Sequence, residues 1–172
     1  MKGNNDANET MKYLLNCGPN QDKFELSKLA VEANLIGAVF HTRSLWDHFA
    51  QLVNTLLLDN DISVGSVTIQ NVTKKLEVNH SKHENIKQAL DYLIQSYWYE
   101  YIESFTNTIK HRQLVEMEFK VSNRWDGFHF TPFDHNGKCF DEKNCIEVHD
   151  GVIEVCNHIV NCGSELNIAY GN

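Results

Sequence analysis

The feature that most limits what this chain can become is a run from 22 to 58 in which apolar residues recur at helical intervals. Leu35, Val39, Trp46, Phe49, Val53, Leu56 and Leu57 fall three, four or seven positions apart, the period of one face of an α-helix. At about 100° per residue, Val39, Trp46 and Val53 share the core side, with Arg43, Asp47 and Asn54 as a polar flank beside it. Asp22 is placed to cap this helix, with Glu25 three residues on as a capping-box partner. Asp59-Asn60-Asp61 reads as the turn that ends it. A long helix with one apolar face needs other elements to cover that face.

The rest of the chain supplies them. Residues 62–68 read as a loop, and Ile69 to Val78 as a short helix with Ile69, Val72 and Leu76 on one side. A second long helix is expected over 81–105. Ser81 is its cap, Glu84 its capping-box partner, and a wide stripe runs from Ile86 to Phe105. Trp98 is expected in the core and Tyr99 at a surface or groove position. Thr106 to Leu114 continues this helix or begins another after a bend.

Past 115 the pattern changes to alternation at Met117, Phe119 and Val121, a strand signal. Asp134-His135-Asn136-Gly137 is a hairpin turn, since Asn-Gly favours tight two-residue connections. Lys138 to Phe140 is the return strand. A β-hairpin is thus expected at about 116–141 and a C-terminal helix at about 144–169. The predicted architecture is mainly α: one domain over 21–172, with 1–20 as a polar, flexible N-terminal arm.

Composition narrows the function classes. Hydrophobic residues make up 42% of the 172, enough for one sizeable core. With 15 Lys and Arg against 23 Asp and Glu, the net charge is −8. That disfavours a general nucleic-acid coat or a membrane-surface protein, and leaves room for a local basic site. The N-terminus lacks the apolar stretch of a signal peptide, and no run approaches the roughly 20 apolar residues of a membrane span. Five scattered cysteines fit free thiols in a reducing cytoplasm. No GxGxxG, P-loop or GxSxG occurs, so no cofactor is called for. His129, His135, Cys139, Cys145 and His149 lie near one another in sequence, without the spacing of a metal site.

The most distinctive chemistry lies in Gln95–Val115, which joins three successive aromatics to Asn107 and the triplet Lys110-His111-Arg112. Asn107 shares a helix face with Lys110 and His111. Arg112 is a fork for phosphate and Lys110 a point charge for the same task. His111 can move protons near neutral pH. The competing reading is that these cations merely complement a helix C-terminus. Asp47 either orients His111 or Arg112 from the neighbouring helix, or simply pairs with Arg43 one turn away.

SFTNTIKHRQLV, the helical core before it, and HTRSLWDHFAQLVNTLL in the first helix resemble HEPN-like bacterial proteins, specifically a subgroup with an Asn-x-x-Lys-His-Arg signature. The resemblance covers about 25–115. It implies a four- to five-helix bundle, a homodimer, and a metal-independent ribonuclease of toxin or defence systems. The family's catalytic pair is an arginine followed four to six residues later by a histidine in a late core helix. This chain departs from that pattern: no histidine follows Arg112 at that spacing. The literal match, Arg43 to His48, falls in the first helix. What carries over is Asn107, Lys110, His111 and Arg112, with Asp47 as a support; His111, Arg112 and Asp47 are the expected catalytic positions, and Asn107, Lys110 and Arg43 the expected substrate-binding ones. The expected ligand is RNA or a nucleotide phosphate. The alternative is a non-catalytic helical module that dimerises or holds a protein partner, with the apolar stripes of 22–58 and 144–169 packing a second copy.

Overall fold

The computed structural model describes residues 19–78, 83–111, 115–120 and 127–171. Helix α1 (Pro19–Leu57) dominates it. At 1.5 Å per residue, its 39 residues run for about 58 Å. Val39, Trp46, Ala50 and Val53 are fully buried along it, as the period predicts. Asp22 lies within its first turn and is not the cap. The helix takes the last two residues of the expected arm, and 1–18 lie outside the described residues. Asn54 ends the α1 side of the core. Its amide donates to the Ile62 carbonyl at 2.9 Å and its oxygen accepts from the Ile62 N–H at 3.2 Å. Asp59 and Asn60 turn the chain there with φ of 49° and 59°, a left-handed conformation that Asn and Asp tolerate.

A short 3-10 turn at Val64–Ser66 leads to α2 (Ile69–Val78), which buries Ile69, Val72 and Leu76 as expected. The predicted helix over 81–105 is two helices, α3 (Glu84–Gln95) and α4 (Tyr97–Lys110). Ser96 separates them. It leaves helical backbone at φ −70° and ψ 141°, and its hydroxyl oxygen accepts the Tyr99 N–H at 3.1 Å. A serine oxygen competes for backbone N–H groups and so favours caps over helix interiors. The continuous apolar stripe concealed that break. Ser81 lies outside the described residues, and His83 stands at the start of α3 without a side-chain cap. Tyr99, expected at a surface or groove position, is 2% exposed, while Trp98, expected in the core, is half-buried and packs against it.

The expected single hairpin is instead five short strands. β1 (Met117–Lys120), β2 (Gly127–Phe130) and β5 (Lys143–Asn144) form an antiparallel sheet, while β3 (Phe133–His135) and β4 (Lys138–Phe140) form a hairpin. Val121, expected to continue the first strand, lies outside the described residues. Asn136 and Gly137 make the hairpin turn with φ of 50° and 78°, as the Asn-Gly pair predicts. β5 spans two residues, too few to show alternation. The polar edge of the three-stranded sheet is tied by Glu142, which bonds Lys120 and reaches His129 Nδ1 at 3.0 Å.

Helix α5 (Cys145–Gly171) closes the fold. It packs against α1, α3 and α4 and buries Val148, Val155, Ile159, Cys162 and Leu166. This stripe, read from sequence as a surface for a second copy, lies in the chain's own core. Gly151 lets the Trp98 ring of α4 lie on the α5 backbone. The architecture is thus mainly helical, with small antiparallel strands before the last helix.

Two predictions follow from this packing. In Gly151→Ala, the new Cβ runs into the Trp98 ring. Overpacking of this kind costs about 1–3 kcal/mol, against at most about 1 kcal/mol gained in helix propensity. The thermal midpoint should fall, and adding Trp98→Leu should recover most of it. The second concerns Glu142. Lys120 first, then His129, holds its carboxyl below the ordinary value of 4.5. A depressed carboxyl contributes stability above that value and loses it as pH falls through the folded pKa. Melts at pH 7 and pH 3 (roughly the two sides of the carboxyl range) should show a smaller acid loss in Glu142→Gln than in the wild type.

Candidate functional site

Helix α4 presents one polar stripe. Taking Asn107 as the reference direction, Glu100, Glu103, Ser104, Lys110 and His111 fall within about 60° of it. The opposite face carries Tyr101, Ile102 and Phe105, all fully buried, so the stripe is held outward by the core behind it. The β3–β4 hairpin stands beside it. Between them lies a cleft of about 370 Å³, walled by Glu100, Glu103, Ser104 and Asn107 from α4 and by His135, Asn136 and Lys138 from the hairpin. Lys138 Nζ spans it to Glu100 Oε2 at 2.5 Å. Asn107 is therefore a half-buried cleft residue, with amide donors and an acceptor available to a ligand.

Lys110 and His111 lie one turn further on, at the end of α4, and both are exposed. The His111 backbone N–H closes the helix on the Asn107 carbonyl at 3.1 Å. Neither side chain has an ion-pair partner among the described residues. Arg112 lies outside the described residues. The stripe thus grades from carboxylates at Glu100 and Glu103 to Lys110 and His111 at its C-terminal end.

Asp47 and Arg43 occupy a different place. The Trp46 and Tyr99 rings sit 4.3 Å apart, and Arg43 Nη2 lies 3.8 Å from Glu103 Oε1, so α1 and α4 run antiparallel. Asp47 is consequently level with Tyr99, twelve residues before His111, or about 18 Å along the axis. Its carboxylate bonds Arg43 one turn away. The geometry therefore places Asp47 with Arg43 and not as an orienter of His111. Arg43 itself is nearly buried at 17% side-chain exposure. Its guanidinium carbon sits 4.9 Å over the Trp46 ring, a cation–π contact. Asp47 and Glu103 flank its charge, so Arg43 braces α1 against α4. Glu103 links this brace to the cleft wall.

The histidines and cysteines that lie near one another in sequence are separately engaged in the structure. His129 bonds Glu142, His135 faces Asn136, and His149 lies beside Asp150. Burial pushes the Cys145 thiol up to about 11 and the Cys162 thiol up to about 12, which suppresses the thiolate that nucleophiles and metal ligands require. Among the described residues no three His, Cys, Asp or Glu side chains converge as a metal site would need.

Sequence reasoning missed Glu100, Glu103 and Lys138, and read His135 as part of the hairpin turn. The first two were findable, because Glu100, Glu103 and Asn107 repeat at helical spacing. Lys138 was not, because only the tertiary fold brings the hairpin to α4.

The two charge groups should separate in thermal melts. Arg43→Ala uncovers Trp46 and leaves Asp47 and Glu103 facing each other without a cation. It should cost about 1–3 kcal/mol. Lys110→Ala and His111→Ala, at an exposed end, should stay within about 0.5 kcal/mol of wild type. Comparison with family models, curated proteins and solved structures finds no match to this chain.

Proposed function

We propose that the α4 stripe is a binding site for single-stranded RNA or a nucleotide, in a HEPN-like helical protein. The observation that carries this reading is the grading of one helix face from a polar cleft to exposed Lys110 and His111, which have no ion-pair partner among the described residues. A phosphate sits against Lys110 and His111, and Arg112, the next residue in sequence, is the further cation this reading calls on. The attached nucleoside enters the cleft, where Asn107 and Asn136 offer amide donors and acceptors and Glu100 and Glu103 accept from amino or hydroxyl groups. With a net charge of −8, such binding is local rather than a coat along a nucleic-acid backbone.

Catalysis is the further step of this proposal. His111, which is exposed, would take the 2′-hydroxyl proton as that oxygen attacks phosphorus and return it to the 5′-oxygen as the P–O5′ bond breaks, while Arg112 would offset the charge on the phosphorane. A specific observation favours the non-catalytic alternative: the Asp47 carboxylate is committed to Arg43, about 18 Å along the helix axis from His111, so Asp47 does not orient that imidazole.

The test is incubation of purified protein with structured RNA and mixed tRNA in EDTA, reading binding and cleavage separately. Under the catalytic reading, cleavage survives chelation and falls about 10²–10⁴-fold in His111→Ala. Binding without cleavage, lost in Lys110→Ala and Arg112→Ala, leaves the binding module. Two full-time cations imply a shallow salt dependence, with a log–log slope near about −1.4 for a single strand. No binding at low salt would end both versions.

A further inference from the structure

Where α3 meets α5, a cleft of about 420 Å³ opens between the two helices. The helices run antiparallel there. Trp98 lies on Gly151, while Tyr92, earlier in the chain, has its ring 5.5 Å from the imidazole of His158, later in α5. Beyond that pair the walls continue through Gln88 on α3 and through Ser164 and Glu165 on α5. His158 and Glu165 are two turns apart, about 10 Å along the axis.

The lining offers more acceptors than donors. Glu165 Oε2 is buried and has no hydrogen-bond partner among the described residues, a costly placement for a carboxylate oxygen. Gln88 Nε2 donates to Glu84 Oε1 at 2.9 Å, which leaves the Gln88 carbonyl oxygen to the cleft. Ser164 donates its hydroxyl to the Val160 carbonyl at 3.2 Å, so its oxygen keeps accepting capacity. At the other end the Tyr92 side chain is 71% exposed. Glu154 stands one turn from His158, its Oε1 3.8 Å from Nε2. Among the described residues no lysine or arginine lines the cleft.

We infer that this cleft binds a linear aliphatic polyamine. One ammonium sits at Glu165, where its N–H donors meet the carboxylate and the Gln88 and Ser164 oxygens. A second lies over the Tyr92 ring as a cation–π contact, with the Glu154 carboxylate beyond it. The methylene stem between them passes Ala89, the apolar residue of the lining. The two turns from His158 to Glu165 set the distance between the charged ends. Among the described residues no three carboxylate, imidazole or thiol groups converge, so the cleft suits a long cation with spaced charges and not a compact metal ion. Its volume is that of a small-ligand site, and the net charge of −8 draws cations towards the chain. This site does not depend on what α4 binds.

Isothermal titration of the full chain with spermidine at low salt tests it. Spermidine should bind at one site, and n-butylamine, with a single ammonium, about tenfold more weakly or worse. Glu165→Gln should weaken spermidine about tenfold and Tyr92→Leu about threefold, each with unchanged circular dichroism. Glu25→Gln removes the same charge from an exposed position on α1 and should change the affinity by less than about twofold. A wild type that does not bind spermidine overturns the inference. So does equal affinity for spermidine and n-butylamine, or a loss in Glu25→Gln as large as that in Glu165→Gln, the mark of diffuse attraction to an acidic chain. Tyr92 is exposed, so Tyr92→Leu keeps the test open should Glu165→Gln not fold; unchanged affinity in it overturns the inference as well.

Discussion

The arrangement depends on a cluster of rings that ties α4 to both groups of strands. Phe105 lies 5.1 Å from Phe130 of the three-stranded sheet and 5.7 Å from Phe133 of the hairpin. Tyr101, one turn earlier, meets Phe133 at 5.4 Å and Phe140 at 5.8 Å. Phe133 and Phe140 stack on each other at 5.0 Å. Edge-to-face and offset pairs of this kind add to simple area burial. Strands this short have few ladder hydrogen bonds of their own, and a lone hairpin is marginal in water. It is therefore the rings that hold the hairpin against α4, and so they create the cleft.

Burial sorts the charged residues into two kinds. Arg43 is almost enclosed, lies over Trp46, and has carboxylates from two helices beside it. A charge in that setting needs its partners, because an uncompensated charge away from water is costly. Lys110 and His111 stand at a helix end in solvent, where charge costs little and is free to meet something else. The same residue types one or two turns apart thus brace the bundle in one case and are open to a ligand in the other. Glu103 belongs to both settings, since it faces Arg43 and also walls the cleft.

Much of this was legible in the chain itself. The helical interval on α1 foretold Val39, Trp46 and Val53 as core. Ile69, Val72 and Leu76 did the same for α2, and Asn136-Gly137 foretold the hairpin turn. What was hidden had physical causes. Ser96 interrupts a continuous apolar stripe through a single side-chain hydrogen bond, which leaves no trace in hydropathy. β5 is too short for a period to show. The burial of Tyr99 follows from the new start that Ser96 gives to α4. The cleft was half visible: its α4 wall repeats at helical spacing, whereas His135, Asn136 and Lys138 reach it only through tertiary packing. Whether Asp47 meets His111 was undecidable from spacing, because it turns on the antiparallel course of α1 and α4.

Helix α1 meets α2, α4 and α5 and, through Phe24, the three-stranded sheet. Phe24 near its start meets Phe119 at 5.2 Å and Phe128 at 5.6 Å on the sheet. Arg43 meets α4 at its middle, and Asn54 holds the loop to α2 near its end. A rigid rod fastened at three levels has no hinge in which to absorb an error of phase. Inserting or deleting one residue between Phe24 and Asn54 would rotate one fastening by about 100° relative to the others. Length variation in this chain should therefore be confined to its loops, and α1 should behave as the ruler against which the other elements are set.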